Sequence, residues 1–129
     1  MNEQKKIGNK TEVKLCELLQ QNGYWCHLLE YNKNGQPCDI VALRGNKSFL
    51  IDVKHCDTDR FSFNRIEPNQ RTCFEYARKE CGVHSVGFAI YFENVNKFYW
   101  LPYSLVANSN LKSVTRIGLK EMAVVLYEG

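Results

Sequence analysis

A short polar turn between two apolar stretches constrains this chain more than any other feature of its sequence. The stretch PCDIVALRGNKSFLIDVKH covers residues 37–55, and Gly45-Asn46 at its centre has the chemistry of a two-residue hairpin loop. The runs on either side are rich in Ile, Val, Leu and Phe, which is typical of β-strands. The sequence therefore predicts a hairpin in which Arg44 pairs with Lys47, and every other pair follows by counting outward.

That register brings two acidic side chains together. Asp39 is predicted to face Asp52 across the hairpin, and Lys54 shares their face because side chains alternate along a strand. Two unit charges about 4 Å apart repel by about 4 kcal/mol at an effective dielectric constant near 20. A divalent cation between the carboxylates is the simplest way to offset this repulsion. The alternative is an ordinary hairpin whose charges face solvent.

Length and composition bound the class of protein. The chain has 129 residues, of which 44% are hydrophobic, so we expect one domain spanning residues 1–129 with a substantial core. No apolar run approaches the roughly 20 residues that span a bilayer, and the polar beginning of the chain has no signal-peptide core. We therefore expect a cytoplasmic protein with no membrane partner. The net charge of +3 does not by itself indicate a nucleic-acid partner.

The cysteines give no sign of a metal site. There are six, and none forms a C-x-x-C pair. Structural zinc sites need ligands clustered at short spacings. The sequence therefore favours reduced, mostly buried thiols.

The remaining pattern predicts an α/β chain with a mixed central sheet flanked by helices. Before the hairpin we predict a helix over 9–22 and a strand over 24–31, with a loop over 32–36. After it we predict, in order, a polar loop over 57–66, a helix over 68–81, strands over 85–92 and 97–101 joined by a turn at 93–96, and in the segment 111–128 a short strand followed by a helix from about Leu119.

One acidic residue on the first predicted helix is ambiguous. Glu12 precedes Leu15 and Cys16 by one helical turn, so it points along the apolar stripe of that helix. A carboxylate there lies either at the rim of the core or in a functional site. If the helix packs on the face that carries Asp39 and Asp52, Glu12 points toward them.

At this point the residues resemble a known family. The pattern G-Q-P-C-D at 35–39 followed by D-V-K at 52–54 resembles the signature of PD-(D/E)XK nucleases, whose core is restriction-endonuclease-like. The stretch G-N-K-T-E at 8–12 resembles the start of the first helix in archaeal-type and RecU-type Holliday junction resolvases. Asn69-Gln70 and the stretch 86–102 are similar to the second helix and later strands of the RecU-type members.

The resemblance implies a metal-dependent site with assigned roles. It implies Mg²⁺, with Mn²⁺ as a substitute, bound by Asp39, Asp52, the carbonyl of Val53 and Glu12. Glu12 would hold a metal-bound water or a second ion. Lys54 would orient the attacking water or neutralise developing charge. Gln70 would position Lys54 or the phosphate.

The implied function is an endonuclease that cuts branched DNA, a Holliday junction resolvase acting as a homodimer in recombination and repair. The alternatives are a nuclease of the same fold with a restriction or repair target, and a nucleic-acid-binding module that does not cleave. Phe61 and Phe63 either stack on bases or pack their loop onto the domain. The expected phosphate contacts come from basic residues that flank the motif: Lys5, Lys6, Lys10, Lys33, Arg60, Arg65 and Arg71.

Overall fold

The computed structural model describes residues 3–29, 38–83 and 85–128, with side chains described from Lys10 onward. The first half contains helix α1 (Glu3–Gln21) and strands β1 (Trp25–Leu28), β2 (Ile40–Arg44) and β3 (Lys47–Cys56). The helix begins before the predicted start and ends close to the predicted position. Gly23 terminates it with φ of +83°, a conformation that glycine adopts without a steric penalty.

The second half begins with a short strand and a 3-10 turn, which precede the second long helix. Strand β4 (Arg60–Ser62) is followed by a 3-10 turn, Phe63–Arg65, and by helix α2 (Pro68–Glu80). Proline lies in the first turn of α2, and Gly82, with φ of +63°, follows its end, as predicted. The remaining elements are β5 (Ser85–Phe92), β6 (Lys97–Pro102), α3 (Tyr103–Asn108), β7 (Ser113–Thr115), a 3-10 turn at Arg116–Gly118, β8 (Lys120–Glu121) and α4 (Met122–Glu128).

The central sheet has six strands in the order β1-β2-β3-β5-β6-β8. Strands β3 and β5 are parallel and the other neighbours are antiparallel, so the sheet is mixed, as predicted. Helix α2 makes the crossover between the two parallel strands. Its last turn lies beside the beginning of β5, where Arg78 and Ser85 line one cavity, so α2 runs antiparallel to these strands. Its first turn therefore lies toward the carboxyl end of β3.

Two apolar cores cover the two faces of the sheet. The first joins α1 and α4 to one face, with Leu15, Leu19, Met122 and Leu126 fully buried over Ile51. The second joins α2, α3 and the β4–β7 pair to the other face; Phe74 of α2 packs edge-on against Phe88 of β5, with ring centroids 5.3 Å apart. We call these the α1 face and the α2 face. None of the described helices is long and apolar enough to span a membrane.

The predicted hairpin register is confirmed over the paired residues. Arg44 pairs with Lys47, Val41 with Leu50, and Ile40 with Ile51. Gly45 has φ of +59°, as a two-residue turn of this kind requires. The ladder stops one step short of the expected pair between Asp39 and Asp52, because Asp39 lies in a bend.

The structure corrects several expectations away from the hairpin. The predicted loop 57–66 contains β4, which pairs with β7 in a second, two-stranded sheet. Its aromatic residues Phe61 and Phe63 are buried in the core of the α2 face, so they do not stack on bases. Helix α3 was not predicted, and the segment 111–128 forms two short strands before its helix. The predicted loop 32–36 and the end of the predicted strand 24–31 lie outside the described residues.

The thiols are all free, but fewer are buried than predicted. Cys38 and Cys56 are buried, Cys81 is exposed and the other three are half-buried. Burial raises the pKa of the Cys16 and Cys38 thiols to about 12. These are inert, reduced cysteines at neutral pH.

Candidate active site

Asp39 lies in the plane of the sheet, in the gap that opens where the β2–β3 ladder ends. Its backbone amide donates to the carbonyl of Ile51 at 2.8 Å. Its carboxylate accepts a 2.7 Å hydrogen bond from the amide of Val53. The amide of Val53 on β3 thus holds the carboxylate of Asp39 between the two strands.

Asp52 and Lys54 point to the α2 face. They lie opposite Phe88 and Ile90 of β5, which both belong to the core of the α2 face. The residue before Asp52, Ile51, belongs to the core of the α1 face. Only 4% of Asp52 is exposed. The Nζ atom of Lys54 lies 3.1 Å from Oδ2 of Asp52. That oxygen is buried, and no described group makes a well-aligned hydrogen bond to it.

The carboxyl groups of Asp39 and Asp52 lie close to each other, near enough for both charge and hydrogen bonding of Asp39 to affect Asp52. Burial chiefly, and then the negative charge of Asp39, raises the pKa of Asp52 to about 8, although Lys54 acts in the opposite direction. Asp52 therefore carries a proton at neutral pH unless a further positive charge replaces it. The hairpin register predicted this repulsion between the carboxylates of Asp39 and Asp52.

Glu12 approaches Asp39 from the other side of the sheet. The condition under which Glu12 would point directly at Asp52 is not met, because α1 lies on the α1 face over Ile51. Glu12 is half-buried all the same, and it lies close enough to Asp39 for their two charges to interact. Burial first, and then the charge of Asp39, raises the pKa of Glu12 to about 7. Asp39 is thus the residue that links the acidic groups of the two faces.

Gln70 lies on the buried stripe of α2, one turn before Phe74, with 4% of its surface exposed. Its side-chain oxygen accepts a hydrogen bond from the amide of Glu67 at 3.1 Å, as part of a capping box. Since α2 starts toward the carboxyl end of β3, Gln70 lies on the Lys54 side of the cluster rather than beside the hairpin turn. The predicted role of Gln70 in positioning Lys54 or phosphate stays a prediction.

The predicted DNA-binding residues are spread over three settings. Lys10 is exposed on α1, whereas the side chains of Lys5 and Lys6 and all of Lys33 lie outside the described part of the chain. Arg60 and Arg65 are exposed just beyond the end of β3. Arg60 donates to the hydroxyl of Ser113 at 2.7 Å, and the Arg65 guanidinium lies 5.2 Å from the centre of the Phe61 ring. Both guanidinium groups are thus held in place by local contacts.

Arg71 lies in an open groove that sequence reasoning missed. The groove has a volume of about 470 Å³, and Asn64, Asn110 and Lys112 line it together with Arg71. Arg71 is oriented there by donation to the carbonyl of Phe63 at 3.4 Å. The sequence signal was present in the basic and amide residues of 109–112, but only the pairing of β4 with β7 brings that segment beside α2.

Comparison with known proteins gives one informative result. No protein-family model matches the chain, and no curated protein matches its sequence. The solved structure of Hjc, a Holliday junction resolvase from the archaeal hyperthermophile Archaeoglobus fulgidus, is similar over 92% of this chain and 99% of its own, with a TM-score of 0.73. This chain has the fold of that resolvase.

The identity between the two is 18%, so the likeness concerns the fold. It confirms the restriction-endonuclease-like α/β architecture that the motif resemblance implied. In this architecture the described residues place Glu12, Asp39, Asp52 and Lys54 around the point where β2 and β3 separate.

Proposed function

We propose that this protein is a metal-dependent endonuclease that hydrolyses phosphodiester bonds of DNA, and that its substrate is a four-way junction cut by a homodimer. The observation that carries the proposal is the closeness of the half-buried carboxyl group of Asp39 to the buried carboxyl group of Asp52, with the ammonium group of Lys54 3.1 Å from the latter. The restriction-endonuclease-like fold of the chain supports a catalytic role for this arrangement.

The residues of the cluster suit a small divalent cation. Carboxylate and carbonyl oxygens are the ligands that Mg²⁺ prefers, and Oδ2 of Asp52 is a buried acceptor without a hydrogen bond from the described residues. No three acidic, His or Cys side chains among the described residues converge as a complete ligand set. Asp39, Asp52 and the Val53 carbonyl would therefore bind the ion together with water, which Mg²⁺ usually retains. When bound, Mg²⁺ or Mn²⁺ would supply Lewis-acid activation of the phosphate.

The protein groups around these oxygens have separate tasks in this proposal. Lys54, paired with Asp52, orients the attacking water and stabilises the negative charge that develops on the phosphate. Glu12, with a pKa raised to about 7 by burial and by Asp39, holds or releases a proton near neutral pH at the edge of the cluster. Gln70 acts from the first turn of α2, on the side of Lys54, as a positioning residue.

The DNA backbone is expected to lie along the basic residues beyond the end of β3. Arg60 and Arg65 are exposed and held by local contacts; they follow Lys54 in the chain by 6 and 11 residues. Arg71 and Lys112 extend the same charge into the neighbouring groove. Lys10 and the other predicted basic residues of 5–6 and 33 complete the proposed phosphate contacts. A homodimer would place two such sites on one junction, as two symmetric cuts require.

The decisive experiment compares DNA substrates that differ only in structure. A synthetic four-way junction, a linear duplex, a single strand and a flap of matched sequence are incubated with the protein, with and without Mg²⁺, and products are resolved on denaturing gels. We expect paired cuts in the junction that need Mg²⁺, and none with the Lys54→Ala variant. Equal cutting of duplex and junction would indicate a nuclease with another target. Binding without any cutting, with Mg²⁺ or Mn²⁺, would indicate a non-cleaving module.

A further inference from the structure

The outermost strand of the sheet carries an exposed pair of aromatic rings. Trp25 of β1 is 60% exposed, and its ring stacks on that of His27, with centroids 6.1 Å apart and planes within 6° of parallel. Leu43 lies opposite Trp25 on β2 and is 43% exposed. A large indole left in water beside an exposed leucine is typical of a binding surface, because folding gains nothing from exposing it.

The alternation of side chains assigns this surface to the α2 face. Cys26 and Leu28 of β1 pack with the core of the α1 face, so Trp25 and His27 point to the other side. Their partners across the ladder are Leu43 and Val41, and Val41 in turn pairs with Leu50. We call the surface formed by Trp25, His27, Val41, Leu43 and Leu50 the aromatic face.

The aromatic face is continuous with the acidic cluster. Leu50 precedes Asp52 by two residues on the same face of β3, so the two lie one strand repeat, roughly 7 Å, apart, and Val41 follows Asp39 in the chain by two residues. Trp25 lies one repeat farther, at roughly 14 Å. On the far side of the cluster the chain continues to Lys54 and then to Arg60. The acidic residues thus lie between a stretch of exposed rings and a stretch of exposed cations.

We propose that the aromatic face binds unstacked nucleobases of the substrate DNA next to the cleavage position, with a base stacked on the free side of the Trp25 indole. This inference rests on the proposed function and names the part of the substrate that this surface recognises. Aromatic side chains stack on any exposed base face, so the contact reads the absence of base stacking rather than sequence. The strands that meet at a branch point can expose base faces, whereas a continuous duplex has none to offer.

Charge and size favour bases over a protein as the occupant. Neither the five residues of the aromatic face nor Ser48, which pairs with Leu43, is acidic, so nothing there repels the phosphates on either side of a stacked base. The parallel stacking on His27 holds the indole as a flat platform. A stable protein interface takes about 20–30 residues from each partner, which is far more than the aromatic face presents.

Tryptophan fluorescence reports directly on this contact. The chain has two tryptophans, and Trp100 is only 7% exposed, so quenching by stacked bases comes from Trp25. The Asp52→Asn protein is titrated with the four-way junction, with linear duplex and with a thymidine oligonucleotide, none of which it should cleave. We expect strong quenching by the junction and the oligonucleotide and weak quenching by the duplex. The same titrations of Asp52→Asn with Trp25→Phe should show little change in the signal that remains from Trp100.

Affinity provides the second measurement. Trp25→Ala should weaken binding of the junction and the oligonucleotide about tenfold and binding of the duplex less than twofold. The dependence of log affinity on log salt should not change, since no phosphate contact is lost. Trp25→Phe should retain most of the affinity. Tyr127→Ala, which removes an aromatic ring that is 85% exposed on α4, is the matched control and should have no effect.

Three results would overturn the proposal: equal quenching by duplex and junction, equal loss of affinity for both with Trp25→Ala, or dissociation of a dimer caused by Trp25→Ala, which would assign the aromatic face to self-association. Cleavage by the wild type separates this test from that of the proposed function. Normal junction cutting with no Trp25 quenching removes only the aromatic-face proposal. Quenching with no cutting of any substrate removes only the nuclease assignment.

Discussion

The two faces of the sheet use the same strand for opposite purposes. Ile51 and Asp52 are neighbours on β3 and are buried almost equally, with 0% and 4% of their surfaces exposed. Ile51 points to the α1 face, where Leu15, Leu19 and Met122 pack in a hydrophobic core. Asp52 points to the α2 face, where a carboxyl group and an ammonium group are enclosed beside a second carboxyl group.

The difference shows which residues of the strand stabilise the folded protein and which are buried at a cost in free energy. Burying an Ile side chain stabilises the folded state by about 1.5–3 kcal/mol. Burying a carboxylate is unfavourable unless it is paired, and here burial and Asp39 together raise the pKa of Asp52 to about 8. The apolar residues of both faces therefore supply the stability that offsets the cost of the acidic cluster on the α2 face. Variants on the two faces should separate activity from stability.

The largest expected effect is the loss of activity on the α2 face. Asp52→Asn or Asp39→Asn should lower the rate of junction cleavage by 10³-fold or more, about 4 kcal/mol of transition-state stabilisation, because each removes a charged oxygen ligand from the cluster. Far-UV circular dichroism should show an unchanged fold. Asp57→Asn alters an exposed carboxylate just beyond β3 and should cleave normally. Near-normal Mg²⁺-dependent cleavage by Asp52→Asn would refute the site assignment.

The reverse outcome is expected on the α1 face. Ile51→Ala should lower the free energy of unfolding by about 2–5 kcal/mol, because it leaves a cavity in a close-packed core, and should lower Tm by roughly 10 °C. Cleavage by the protein that remains folded should change little. Urea titration followed by fluorescence gives the stability. Val13→Ala, on a side chain that is 47% exposed, is the control and should stay within roughly 0.5 kcal/mol of wild type.

The comparison sharpens when stability is measured against pH. The pKa of Asp52 is about 8 in the folded protein and about 4 in an unfolded chain, so the folded state binds the proton more tightly. The contribution of Asp52 protonation to the stability of wild type is therefore fully present below about pH 4, and it is lost as pH rises toward 8. Asp52→Asn cannot lose it, so without metal it should be more stable than wild type at pH 8, by on the order of a few kcal/mol.

Urea titrations at pH 5 and pH 8 measure this difference for both proteins, which should converge at the lower pH. Added Mg²⁺ should stabilise wild type at pH 8 and leave Asp52→Asn unchanged, since a bound ligand stabilises only the state that binds it. A difference between the two proteins that is constant with pH would show that the gain is not linked to the proton of Asp52.

A smaller effect is expected where the two faces meet. Glu12→Gln should lower the cleavage rate about tenfold, about 1.4 kcal/mol, because it removes a charge that interacts with that of Asp39. Part of this loss should be recovered in Mn²⁺, which tolerates altered ligands. Glu17→Gln, at an exposed position of the same helix, is the control. If both variants cleave like wild type, Glu12 is a rim charge and the cluster belongs to the α2 face alone.

The smallest effect concerns binding beyond the end of β3. Arg60→Ala combined with Arg65→Ala should weaken junction binding several-fold and should make the slope of log affinity against log salt shallower by about 1–2, because up to two phosphate contacts are lost. Filter binding at several salt concentrations measures both. Lys97→Ala combined with Lys120→Ala removes the same charge from β6 and β8, at exposed positions. If this pair changes the slope equally, the effect is one of net charge.

Much of the strand and helix pattern was predictable because it depends on local chemistry. The Gly45-Asn46 turn set the register of the hairpin, and the prediction held through Ile40 and Ile51. Pro68 and Gly82 marked the ends of α2 within one residue. The closeness of Asp39 and Asp52 followed from the same counting, even though the ladder itself ends before Asp39.

What the sequence determined by itself is the hairpin register, the helix ends and the grouping of two acidic residues with Lys54, since each depends on residues a few positions apart or on strict alternation. The tertiary structure alone decided that α1 covers the face opposite Asp52, that Phe61 and Phe63 are buried, and that Trp25 is not. An apolar stripe or an aromatic residue specifies that a surface is to be covered. Which surface covers it depends on long-range packing, whose free energy is spread over many contacts that no local pattern records.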